Sequence, residues 1–234
     1  MRNAYERLSL FIKLNFGLTL LLFFAFLSFN DYTFDTFIFT FLAAISTAAI
    51  LYLLFYIFLA PFFWLKDKAL IFTACIFATT NLLLIVDFFI FRIWHFHING
   101  MVINIMLSPA AYDSVETGWL EKIAVLLVIG LLIYSQYYLI KHVSATELVK
   151  VKEKNRNFLV YVFPVLFILV FSEKVISGFA VMYANVPLLE RTKAIPMYLG
   201  VDFTREMEKH FGIKVNTSKK YKLNISEESK VNYP

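Results

Sequence analysis

The sequence holds a single cysteine, Cys75. No disulfide can close within the chain, and no Cys-rich metal framework exists. Common catalytic signatures are missing as well: there is no G-x-S-x-G, no H-E-x-x-H and no P-loop run. Internal repeats are absent. These gaps argue against an enzyme confined to these residues, and no cofactor or metal is expected. Charge is scarce, with 17% of residues Asp, Glu, Lys or Arg. The net charge of +5 is no nucleic-acid signal in so apolar a chain, where basic residues set orientation and meet anionic headgroups.

What the chain has is apolar length. Of 234 residues 60% are hydrophobic, 27 of them Phe, and mean hydropathy is +0.69. A soluble domain is about 45–50% apolar, and a membrane span needs about 20 apolar residues in a row. Five stretches qualify: Leu10–Phe29, Thr36–Leu65, Ala69–Phe91, Trp119–Ile140 and Phe158–Val181. The second is long enough to tilt, and Pro61 bends or ends it. The first follows Arg2, Arg7 and Lys13 like a signal peptide, but its apolar run is longer and no small-x-small site follows, so it reads as a retained anchor. Cys75 lies in an apolar run and reads as a small core residue.

Loop charge gives an orientation. The N-terminus and the second and fourth loops carry Arg2, Arg7, Lys13, Lys66, Lys68, Lys141, Lys150, Lys152, Lys154 and Arg156. The first and third loops with their flanks carry Arg92 and Lys122 against Asp31, Asp35, Asp113, Glu116 and Glu121. The positive-inside rule places the N-terminus in the cytoplasm and the segment after Val181 outside, which in a bacterium is the periplasm.

The expected fold class is all-α: a five-helix transmembrane bundle over 1–181, then a periplasmic linker over 182–234. Between spans three and four, Asn99 is placed to cap a short interfacial helix, Gly100–Leu107. In the linker, VDFTREMEKHFG reads as a short amphipathic helix near 202–211. Asp202 suits its N-cap, Lys209 and His210 its last turn, and Gly212 its C′ position. Phe203, Met207 and Phe211 form its apolar stripe, which should lie on the membrane face or the span ends. Lys214 to Pro234 reads as polar linker.

The stretch FRIWHFHING, Phe91–Gly100, poses the first site question. His95 and His97 could chelate a metal with Asp113 or Glu116, but a third ligand at defined spacing is missing. The plainer reading makes Arg92, Trp94 and both histidines an interfacial belt. Asp87 sits within the third span, where a carboxylate needs a partner or water. A structural hydrogen bond to Arg92, to His95 or to a hydroxyl on another span is favoured over a proton path. Ser46, Thr47, Thr79, Thr80 and Asn81 can tie helices together. The run KVKEKNR, with Lys150, Lys152, Lys154 and Arg156, offers a charged cytoplasmic surface to a partner or to anionic lipid, beside its orientation role.

Three stretches carry a resemblance. VDFFIFRIWHFHINGMVINIMLSP (Val86–Pro109), IPMYLGVDFTREMEKHFG (Ile195–Gly212) and the terminal VNYP, in this order of elements, resemble the N-terminal half of the PbgA/YejM family of bacterial inner-membrane sulfatase-like proteins. The resemblance implies five spans, a periplasmic linker and a globular domain beyond this chain. It implies a non-enzymatic sensor of lipopolysaccharide, through its lipid A part, that reports to a LapB-type membrane partner, with cardiolipin as another proposed ligand. Arg205 matches a phosphate-contacting Arg of that family, and Tyr198, Leu199, Gly200, Val201 and Thr204 accompany it in the implied lipid-binding segment. Thr204 stands where the family often has a second Arg, and Asp202 puts a carboxylate beside the site. The competing reading is a membrane anchor of a lipid-headgroup phosphotransferase of the same superfamily. A small transporter is disfavoured, because the spans lack paired broken helices and a set of intramembrane charges.

Overall fold

The structure is a computed structural model that describes residues 2–65, 67–106 and 118–213. Lys66, Asp113, Glu116, the linker from Lys214 and the terminal VNYP lie outside the described residues. The described residues form helices and no strand. In chain order these are α1 (Arg2–Ala25), α2 (Phe34–Leu59), α3 (Asp67–Trp94), α4 (Gly100–Met106), α5 (Trp119–Ala145), α6 (Leu148–Asn157), α7 (Phe163–Met182), α8 (Val186–Thr192) and α9 (Thr204–Phe211). Five helical stretches are long and apolar enough to cross a membrane: Asn3–Phe29, Phe34–Leu65, Lys68–Trp94, Lys122–Ala145 and Leu148–Met182. The chain is therefore an all-α bundle of five such rods.

Local chemistry sets the breaks. Thr33 and Thr36 close a capping box at the start of α2, with the Thr33 amide donating to Thr36 Oγ1 at 2.9 Å. α2 ends at Leu59, and a 3₁₀ turn (Ala60–Leu65) carries Pro61, whose ring and missing N–H break the α ladder. The fifth rod differs from the sequence reading. KVKEKNR is not a loop but most of α6, which runs through a π turn (Phe158–Val162) into α7. Val151 and Asn155, one turn apart, are its buried face, and the charged residues between them point to the other sides.

The core lies among the first three rods. Phe11, Phe23, Phe26 and Phe77 are fully buried there. On α2 the small residues Ala43, Ala44, Ser46, Ala48 and Ala49 are buried, which lets neighbouring backbones close in without a hydrophobic drive from the solvent. Two buried polar pairs cross between helices. Thr19 donates to Asn81 Oδ1 at 2.9 Å, joining α1 to α3, and Gln136 donates to Asn15 Oδ1 at 2.8 Å, joining α1 to α5. Bonds of this kind contribute about 0.6–2 kcal/mol each in lipid. Thr47 and Thr80, by contrast, bond carbonyls of their own helices. Cys75 is exposed on α3 and not a core residue: its neighbours Thr73 and Ala74 take the inward face.

An odd number of rods puts the start of α1 and the end of α7 at opposite ends of the bundle. At the first end, Arg7 bonds the terminal carbonyls Val143 and Ser144 of α5. At the second end the chain does not leave as a free linker after Met182. α8 packs on α2 and α7, Asn30 donates to Arg191 O at 3.3 Å, and Ala194 and Ile195 are buried.

Candidate functional site

The second end carries the chemistry. α3 delivers Asp87, which is almost fully buried. Its partner is neither Arg92 nor His95, as the sequence suggested, but His97. The chain leaves α3 at Trp94, takes a left-handed turn at His95 (φ 55°) and swings His97 back. His97 Nδ1 then lies 2.7 Å from Asp87 Oδ2, and the Ile98 amide donates to Asp87 Oδ1 at 2.6 Å. His97 Nε2 donates to Lys193 O at 2.8 Å. One ring nitrogen thus faces a carbonyl and the other a carboxylate, so both nitrogens of the ring are engaged. The His97 ring also stacks on Phe91 at 4.6 Å. With both nitrogens engaged, His97 is not free to join His95 in an H-x-H chelate. Arg92, Trp94 and His95 are exposed, while His97 is half-buried against Asp87. Asn99 caps α4 by accepting the Val102 amide at 3.0 Å.

The second set of contacts sits on α7 and was not legible in the sequence. Glu173, which the sequence reading did not single out, is fully buried within the fifth rod, with Lys174 Nζ 2.9 Å from its Oε2. Tyr198 OH donates to Glu173 Oε1 at 2.6 Å and lies 3.1 Å from Ser177 Oγ. Burial, and then the bond to Glu173, push the Tyr198 phenol well above its ordinary range. Lys174 spans the ring of Tyr198 at 4.9 Å and donates to Leu199 O at 2.7 Å. The Val201 amide donates to Ser177 Oγ at 3.1 Å. Gly178 and Gly200 make the close approach possible. A Cβ at Gly178 would overlap the Phe203 ring, and one at Gly200 would meet Ser177 Oγ at 3.1 Å.

Met197–Phe203 is therefore strapped lengthwise to α7, with Met197 at φ 57° turning the chain onto it. Of the six residues in the implied lipid segment, Tyr198 turns inward. Gly200 and Val201 lie against Ser177, while Leu199, Thr204 and Arg205 face out. α9 begins two residues later than Asp202. Phe203 occupies the N-cap position, because its ring is fixed against Phe179 and Gly178. Asp202 still serves the terminus by accepting the Thr204 amide at 2.8 Å, and bonds from Thr204 hold its carboxyl below the usual range. Gly212 ends α9 at φ 66°, as its C′ reading implied. Met207 is half-buried and Phe211 is 71% exposed, so the apolar stripe runs off the bundle.

Beside the Asp87–His97 pair lies an apolar cavity of about 410 Å³, bounded by Leu83, Asp87, His97, Ile103, Pro196 and Met197. α3, α4 and the strap thus share one hollow at the second end.

A family model described as "Domain of unknown function (DUF3413)" matches residues 2–234. The chain belongs to the DUF3413 family. No curated protein matches it. The match takes in all five rods, the Asp87–His97 turn and the strap, so the DUF3413 unit includes the second-end structure together with the bundle that supports it. The charged run Lys150, Lys152, Lys154 and Arg156 belongs to the same DUF3413 unit but stands at the first end, on α6.

Proposed function

We propose that this DUF3413 protein is a non-enzymatic lipid sensor and scaffold of the PbgA/YejM type. It holds a phosphorylated lipid, lipopolysaccharide through lipid A or else cardiolipin, on the outward side of Met197–Arg205. The observation that carries the reading is the division of labour along the strap. Its inward groups are all bonded to α7, while Arg205 and Thr204 stand exposed at the start of α9, beside exposed Leu199 and Met197. A helix start with an arginine suits a phosphate, and exposed Leu and Met suit acyl chains. Asp202 opposes an anion there and sets a limit on affinity.

The loop Lys/Arg bias supports a bacterial inner-membrane protein with its start cytoplasmic and the strap on the periplasmic face. The α6 cations would then face the cytoplasm, where a LapB-type partner could read them.

The test is native mass spectrometry of the detergent-purified chain with lipid A and with cardiolipin. A charge-assisted hydrogen bond contributes on the order of 1.5–3 kcal/mol, so Arg205→Ala should weaken binding about ten- to a hundredfold. Arg205→Lys should restore part of it, lacking the guanidinium fork. Asp202→Asn should strengthen it. Lipid retention unchanged in all three variants would reduce the strap to a connector.

A further inference from the structure

At the opposite end of the bundle, independent of the strap, a cavity of about 520 Å³ opens between the start of α1, the end of α2 and the α6–π turn–α7 rod. We infer that it is a second lipid site, which binds the phosphodiester headgroup of an anionic phospholipid of the phosphatidylglycerol class.

Three cations line it, Lys13, Lys152 and Arg156, against one carboxylate, Glu6. Glu6 is already engaged: Asn155 Nδ2 donates to Glu6 Oε2 at 2.7 Å and to Glu6 O at 2.9 Å. The Asn155 side-chain oxygen in turn accepts from Lys13 Nζ at 2.8 Å, and that ammonium stands 5.1 Å from the centre of the Phe158 ring. Asn155 is thus a buried clamp that aims Lys13. Among the described residues, no carboxylate pairs with Lys13, Lys152 or Arg156 within 4.0 Å. Glu6 reaches Lys13 only through the Asn155 amide, and a half-buried ammonium with no carboxylate in direct contact favours an anion from outside. Lys152 and Arg156 are four apart on α6, so they share a face, and the arginine adds a fork matched to a phosphate. Glu153, between them in sequence, stays out of this cavity and shares with Lys152, Arg156 and Val149 a second depression alongside.

Hydroxyls add to the polar rim. Tyr5 and Tyr56 are bonded at 2.6 Å, and Ser9 and Tyr56 at 3.1 Å. Three hydroxyls joined by two bonds keep one proton to donate elsewhere. The apolar side of the cavity decides between a lipid and a free anion. Leu53, Leu159 and Phe163 line it and are exposed along the rods, so an acyl chain can leave the headgroup site down the bundle surface. The height is right as well, because charged α6 becomes the apolar part of the fifth rod at this level. The π turn there, a distortion frequent at functional sites, places Phe158 and Leu159 in the lining.

The experiment is native mass spectrometry of the full chain in detergent with phosphatidylglycerol, with phosphatidylcholine and with inorganic phosphate as competitor. The double variant Lys152→Gln/Arg156→Gln should weaken the phosphatidylglycerol adduct tenfold or more. Lys150→Gln/Lys154→Gln removes the same charge from α6 outside the cavity and should leave the adduct within a factor of two or so. In an Arg205→Ala background, which takes away the strap's phosphate contact, the Lys152→Gln/Arg156→Gln change should still cost tenfold or more. The proposal is overturned if both doubles weaken binding equally, if phosphatidylcholine binds as well, or if millimolar phosphate displaces the lipid. It is also overturned if, in the Arg205→Ala background, the Lys152→Gln/Arg156→Gln change no longer weakens the adduct.

Discussion

Tyr198 and Glu173 are 25 residues apart in sequence and joined by a 2.6 Å hydrogen bond, with the carboxylate fully buried in the fifth rod. The bond converts a segment that follows the last span into part of the bundle. Tyr198→Phe removes the donor and leaves a buried carboxylate oxygen without it, a loss of about 1–3 kcal/mol. Backbone amide exchange over residues 196–203 should rise in this variant while exchange in α1 to α3 stays as in the parent. Unchanged exchange in the strap would mean that Lys174 and Ser177 hold it without the phenol.

Gly178 should tolerate no side chain while Phe203 is docked, because an added Cβ overlaps that ring. Gly178→Ala is expected to lower the melting temperature in detergent and to release α9. Adding Phe203→Ala makes room, so the double variant should be more stable than the sum of the singles predicts, with a coupling of about 0.5–3 kcal/mol. Strict additivity would show that the two residues do not meet.

His97→Ala leaves Asp87 with the Ile98 amide as its remaining bonded partner and frees Lys193 O. The expected loss is about 1–3 kcal/mol, read as thermal stability in detergent. Asp87→Asn should cost less, since an amide oxygen still accepts from Ile98 and no charge is left buried. Equal effects of the two substitutions would argue against a charge at Asp87.

Reporter fusions after Ile213 test the orientation. Loop Lys/Arg bias predicts an active alkaline phosphatase and a silent cytoplasmic reporter there. The reverse pattern would invert the assignment of both lipid sites to their leaflets.

The rods were legible because a membrane span writes its length directly in apolar residues. Side-chain partners were less so. Asp87 was visible as a carboxylate in an apolar run, yet its mate His97 depends on a left-handed turn at His95 that spacing does not announce. Glu173 escaped notice because Glu173–Lys174 near a span end looks like interface charge. Its burial needs Tyr198 to fold back from 25 residues downstream. KVKEKNR looked like a loop because its charge outweighs the one turn, Val151 to Asn155, that faces α1. The small-residue face of α2 gave no sign of which helix would use it.

The π turn at Phe158–Val162 has a consequence for the far end of the rod. There the Phe163 amide reaches back five residues, to Phe158 O. One residue is thereby added without its share of rotation, so all that follows is out of phase with an unbroken helix by about 100°. The rod behaves like a shaft whose two halves are keyed at different angles, one half meshing with α1 and the other with α2. Removing a single residue from the turn would rekey it. Glu173, Ser177 and Gly178 would then rotate away from Tyr198 and Phe203 together, and the strap would lose its whole seat from a change about three helical turns away.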